Sequence, residues 1–230
     1  LQFGGRNVQH LRGQLDPIVE RIRERFSAKA AARDRAYQSC RDTIRHCANA
    51  IRAIHRAEFA EAQGLMQEAR GLLEKTREEL SEHPDVFYGG FVEDAQKEYA
   101  EACITYALVA GEPLPSPETL GVGYAPYLNG MGEAAGELRR HLLDKLRRNE
   151  VSRCEDILSQ MDEIYIALVT MDFPDAVTKG LRRTTDMVRG VLERTRGDLT
   201  VAVRQQDLEG KLKALEQQLS AIRYPGNPRA

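Results

Sequence analysis

Apolar and small residues recur at helical spacing along nearly the whole chain. Ala36, Cys40, Ile44, Cys47, Ile51 and Ile54 step by four, four, three, four and three, which lines one face of a helix. That helix is expected to begin near Pro17, whose fixed φ and missing N–H suit a first turn, and to run to about His55. A second covers about 58–80. After His83-Pro84 a third reaches Val109, and the run from Gly111 to Pro117, with prolines at 113, 115 and 117, ends it. Four more are predicted over about 125–148, 151–171, 175–196 and 199–222. In the last, Leu208, Leu212, Leu215, Leu219 and Ile222 alternate steps of four and three, a short heptad seam that needs an intramolecular or subunit partner. Nothing follows the two-residue period of a strand, and no internal repeat is present. The expected class is therefore all-α, a seven-helix bundle: one helical domain over 17–222 between tails at 1–16, which reads partly as an expression remnant, and 223–230.

Composition narrows the class. With 42% hydrophobic and 30% charged residues in 230, the chain has the balance of a globular protein that can bury a core, not of a disordered one. It has no apolar run of the roughly 18–20 residues that cross a membrane, and it does not open with a secretory signal pattern. Cys40, Cys47, Cys103 and Cys154 have no CxxC spacing, and each falls within a helical pattern. They read as buried, reduced thiols of a cytoplasmic protein, without a zinc site or a disulfide. A net charge of −2 hides local asymmetry, because Arg21, Arg23, Arg25, Arg33, Arg41 and Arg45 all crowd the first quarter.

Four glutamates carry the candidate chemistry. Glu98 and Glu101 lie among Tyr99, Ala100, Ala102, Cys103 and Ile104, and Glu133 and Glu137 lie among Gly130, Gly132 and Gly136. Spacings of three and four put each pair on one helical face. Glutamate pairs are common on solvated helices, but these neighbours leave little room for a wet face. Each glycine costs roughly 1 kcal/mol against alanine inside a helix, so a helix that keeps three of them needs close approach of another backbone or ligand. Two such helices packed together offer four carboxylates to one point. That repulsion is relieved by a divalent cation, and hard oxygen ligands suit Mg²⁺ or Mn²⁺.

The same segments resemble the translin family, in particular its archaeal and Trax-like branch, whose catalytic member belongs to the translin–Trax ribonuclease. Glu98-Tyr99-Ala100-Glu101-Ala102 is similar to that branch's Glu-Tyr-Val-Glu-Ala motif. Tyr127-Leu128-Asn129-Gly130 through Gly136-Glu137-Leu138 is similar to its Tyr-Leu-x-Gly…Gly-Glu-Leu segment. Further likeness lies in Ala32-Arg33-Asp34 with Ser39-Cys40-Arg41, and in Phe173-Pro174 through Lys179-Gly180-Leu181-Arg182-Arg183. There are two departures. Glu133 stands where the family has Asp, lengthening that arm by one methylene, and Pro126 stands where an Asp often precedes Tyr-Leu.

The resemblance implies a seven-helix subunit in a closed homo-octamer with RNA inside the shell. It also implies metal-ligating and catalytic roles for Glu98, Glu101, Glu133 and Glu137. The expected activity is a Mg²⁺-dependent endoribonuclease, Mn²⁺ substituting, that cleaves single-stranded or nicked RNA. Binding runs chiefly through phosphates, and single-stranded DNA stays open as a second ligand. Arg33, Arg41 and Arg45, at steps of eight and four, form one stripe for RNA, and Arg182 and Arg183 a second patch. His46, His55 and His141 read as surface or core residues, and Tyr99, Tyr106 and Tyr165 as packing. The alternative is a non-catalytic assembly that binds RNA or single-stranded DNA. A ferritin-like di-metal bundle is disfavoured, because it needs Glu-x-x-His and Glu137 to His141 is one residue too long.

Overall fold

Residues 4–223 of the chain, with side chains over 9–220, are described in a computed structural model. The elements in order are α1 (Gly4–His55), α2 (Phe59–Glu79), the single turn α3 (Pro84–Phe87), α4 (Gly90–Ala110) and the single turn α5 (Pro117–Leu120). There follow α6 (Tyr124–Arg147), a 3₁₀ turn at Val151–Arg153, α7 (Cys154–Val169), the single turn α8 (Asp175–Thr178) and α9 (Leu181–Arg223). No strand occurs among the described residues, and the all-α class holds.

Three boundaries differ from the sequence expectation. First, α1 starts at Gly4 and runs through Pro17. A proline inside a helix crowds the carbonyl four residues back and withholds a donor from it; here that residue is Gly13, and residues 9–28 are exposed, so water can satisfy the carbonyl. Second, the third expected helix divides, because Gly89 is extended (φ −75°, ψ 148°) and α4 starts only at Gly90. Third, the sixth and seventh expected helices are largely one. α9 continues through Gly197, where glycine withholds no hydrogen bond and costs only about 1 kcal/mol, and the fully buried Thr195 and Leu199 clamp either side.

The core has two main bodies that share α6. One gathers Cys47, Ile51, Tyr99, Cys103, Ile104, Tyr127 and Ala134 from α1, α4 and α6, together with Met66 and Ala69 of α2. The other gathers Ala135, Leu138, Leu142, Ile157, Met161, Leu168, Val188 and Leu192 from α6, α7 and α9. Met131 packs against both, so α6 is apolar on two sides and is fixed by both bodies. All four cysteines are buried and free. Tyr106 stacks edge-on against Phe59 with centroids 5.9 Å apart, and Tyr165 packs on the second body. No described helix is long and apolar enough to cross a membrane.

Two stretches reach beyond this core. Residues 9–28 of α1 expose Leu11, Leu15, Ile18, Ile22 and Phe26, and the end of α9 exposes Leu208, Leu212, Leu215 and Leu219. Among the described residues, Leu208, Leu212, Leu215 and Leu219 of the heptad seam therefore have no partner within the subunit; the side chain of Ile222 lies outside them.

Candidate metal centre

The site is set where α4 crosses α6. A Cβ at Gly130 would lie 2.6 Å from the Lys97 carbonyl oxygen and 2.9 Å from the Glu101 nitrogen, so only glycine lets the backbones meet there. Gly132 performs the same service against α9, where a Cβ would meet Thr184 Cγ2 at 2.3 Å. Gly136 does not: nothing lies within 4 Å of the Cβ position, and the close approach expected there is absent. Since the atoms opposing Gly130 are main chain and cannot swing aside, Gly130→Ala is expected to destabilise the protein by about 1–3 kcal/mol. A urea-unfolding midpoint equal to the wild type would contradict so tight a crossing.

The crossing places the α4 carboxylates opposite those of α6. One oxygen from each of Glu98, Glu101 and Glu133 falls within a group whose members are no more than 4.8 Å apart. Glu101 is the innermost, 8% exposed, and no described side chain donates a hydrogen bond to it. Burial, then the charges of Glu98, Glu133 and Glu137, push its carboxyl up to about 8, against the opposing pull of Lys97. Lys97 supplies the local cation: its Nζ donates to Glu133 Oε1 at 2.6 Å and lies 3.4 Å from Glu98 Oε1. Desolvation works against its charge, but Glu133 and Glu98 outweigh it and raise the ammonium's pKa.

Glu137 is near enough to bear on Glu101 yet stands outside the close trio. His55, the last residue of α1, donates its Nε2–H to Glu137 Oε2 at 2.5 Å, with the imidazole side chain only 4% exposed and its buried Nδ1 without a partner among the described residues. His141, one turn beyond Glu137, has its ring 6.5 Å from that of His55. Burial, then the charges of Lys145 and His55, lower its pKa. His46 pairs with Glu68 at 3.0 Å, away from the carboxylates. The role of His55 was missed in the sequence, although a signal existed: it falls four residues after Ile51 and so on the buried face of α1.

The basic candidates separate. Arg183 lines a cavity of about 470 Å³ beside the cluster, together with Lys97, Glu133, Lys179 and Glu93. Arg182 is exposed at the start of α9. Arg33, Arg41 and Arg45 stay on the exposed side of α1. Arg33 pairs with Asp34 and lies over the Tyr37 ring, while Arg45 pairs with Asp42; neither pairs with the carboxylate cluster.

This donor set fits a hard divalent cation. It offers oxygens only, three of them already close, and its innermost carboxylate is costly to ionise without a positive partner. Tyr99, 4% exposed, packs in the first core body, as expected.

No family model matches the chain. It is 27% identical over 193 residues to an uncharacterized protein of Methanocaldococcus jannaschii, a match covering 84% of this chain and 86% of that one. Among solved structures it is similar to AfC3PO in its complex with duplex RNA (TM-score 0.76, 33% identity, 81% of this chain and 97% of the other). It is similar also to AfC3PO alone (0.74, 31%, 81% and 97%). Apo-NeC3PO shares the fold at TM-score 0.67 and 22% identity, over 82% of this chain and 96% of its own.

Proposed function

Since the chain belongs to the C3PO/translin family, we propose that it is a metal-dependent endoribonuclease of the Trax-like, archaeal type. It acts in the cytoplasm on single-stranded or nicked RNA held inside a homo-octameric shell. The observation that carries this reading is the trio Glu98, Glu101 and Glu133 around the Gly130 crossing, with a buried carboxyl at its centre. Glu98, Glu101 and Glu133 would hold Mg²⁺ or Mn²⁺, with Glu137 as a further acidic group. When bound, such an ion supplies Lewis acidity, activating a water and stabilising the charge that develops during phosphodiester hydrolysis.

The protein's own residues do the rest. Gly130 fixes the spacing of the two acidic helices, and the His55 hydrogen bond holds the Glu137 carboxylate in one orientation. Arg183 and Lys179 present positive charge in the cavity beside Glu133, where an RNA phosphate can be received without reading sequence; Arg33, Arg41, Arg45 and Arg182 offer further phosphate contacts. RNA is bound by the neighbour AfC3PO, whose complex contains a duplex, and a nicked duplex joins that form to a cleavable strand.

A non-catalytic RNA-binding assembly is the second reading, favoured by the Lys97–Glu133 contact, which already neutralises part of the cluster. End-labelled RNA incubated with Mg²⁺, Mn²⁺ or EDTA separates the two. Internal cleavage is expected with either metal and none with EDTA. RNA that is retained by the protein but stays intact in all three conditions would leave the binding assembly standing.

A further inference from the structure

Metal loading must contend with a cation the chain carries itself. Lys97 immediately precedes Glu98 on α4, and its ammonium sits on Glu133 Oε1 at 2.6 Å and 3.4 Å from Glu98 Oε1. Glu98 and Glu133 are two of the three residues whose oxygens converge. The side chain is only 24% exposed, and the two carboxylates are 27% and 32% exposed, so the contact is an enclosed one rather than a frayed surface pair. An ammonium donates three hydrogen bonds from one compact charge. It is therefore a side chain well able to hold several carboxylates together, and it does so on two of the three residues that a divalent ion would need.

We propose that Lys97 is a resident counter-ion for the carboxylate cluster, which a divalent cation must displace in order to bind. The proposal rests on the metal reading above and adds a residue that sets the occupancy of the site. The apparent affinity for metal equals the intrinsic affinity multiplied by the fraction of molecules in which Lys97 has left. The displaced ammonium has somewhere to go, because Lys97 also lines the cavity of about 470 Å³ shared with Lys179 and Arg183. That lining also carries Glu93 and Asp94, so the ammonium leaves the cluster for a polar, charged setting and not an apolar one.

Mn²⁺ titrations of the full chain, read by the electron paramagnetic resonance of free Mn²⁺, test this without any cleavage assay. Lys97→Met is expected to bind Mn²⁺ roughly tenfold more tightly than the wild type, and Lys97→Gln, which keeps a polar end if the Met variant folds poorly, is expected to do the same. Lys29→Met is the control for charge at a distance: its ammonium pairs with Asp85, not with the cluster, and it should bind as the wild type does. In parallel, acetylation of wild-type Lys97 by acetic anhydride, followed by mass spectrometry, should rise severalfold on Mn²⁺ saturation while that of Lys29 stays level. Equal Mn²⁺ affinity in wild type and both Lys97 variants, equal tightening in the Lys29 variant, or unchanged Lys97 labelling would overturn the displacement while leaving the metal site in place. Absence of Mn²⁺ binding to the wild type and both Lys97 variants would overturn the metal reading and this proposal together.

Discussion

Glu101→Gln is expected to abolish RNA cleavage and at the same time to raise the melting temperature of the metal-free protein. The two effects have one cause. Glu101 is the buried centre of the cluster, and its carboxyl is pushed from 4.5 to about 8, first by burial and then by Glu98, Glu133 and Glu137. Between those values the folded chain binds the Glu101 proton and the unfolded chain does not, so stability falls as pH rises across that window and is lowest above about 8. Glutamine fills the same space without a charge and removes the penalty. Its gain should be absent near pH 4.5 and reach a few kcal/mol at pH 9, since each tenfold difference in proton affinity between the folded and unfolded chain is worth about 1.4 kcal/mol.

Cleavage should move the other way, because a metal held as proposed would lose its innermost charged ligand. Forfeiting several kcal/mol of charge stabilisation slows the chemistry roughly a thousandfold or more, while RNA affinity, which on the proposed reading rests on phosphate contacts elsewhere, should stay close to the wild type. Melting curves in EDTA at pH 5 and pH 9, with cleavage and filter binding on the same preparations, check all three. A variant that melts lower at pH 9, or that still cleaves at the wild-type rate, would remove Glu101 from the centre of the site.

Much of this site is legible in the chain because it depends on local spacing. Glu98 with Glu101 and Glu133 with Glu137 share helical faces by arithmetic alone, and Gly130 announces a close crossing because nothing local rewards glycine in a helix. The unread parts are tertiary. His55 reaches Glu137 across 82 positions, and no spacing rule links the end of α1 to the middle of α6. Lys97 has nothing in its own helix to distinguish it from an ordinary surface cation; only the crossing sets Glu133 beside it. Arg33, Arg41 and Arg45 form a stripe by period, yet period says nothing of what the stripe faces, and the structure leaves it on the exposed side of α1. Two helix boundaries failed where a local breaker was outvoted. Gly197 is overruled by the buried Thr195 and Leu199, and Pro17 is accommodated in an exposed stretch where the freed carbonyl has water.

The end of α9 carries the second large prediction. Leu208, Leu212, Leu215 and Leu219 are 58, 50, 51 and 56% exposed, although their steps of four and three make the seam that helices use to pack against one another. The core ends near Leu199, so these residues add nothing to the fold of a single subunit. Covered by a second chain, each contributes about 1–1.5 kcal/mol from its remaining exposed half, and Leu11, Leu15, Ile18 and Ile22 at the other end of the chain offer a similar stripe. Light scattering is therefore expected to give a mass of about eight times the 25.9 kDa subunit, the octamer that the family resemblance implies. The pair Leu212→Glu and Leu219→Glu should lower that mass to smaller species, because each introduced carboxylate must be desolvated at the interface. The helical circular dichroism per residue should stay nearly constant, since the core is untouched. A wild-type monomer at micromolar concentration would refute the assembly, and a double variant that keeps the full mass would place the subunit contacts on some other face.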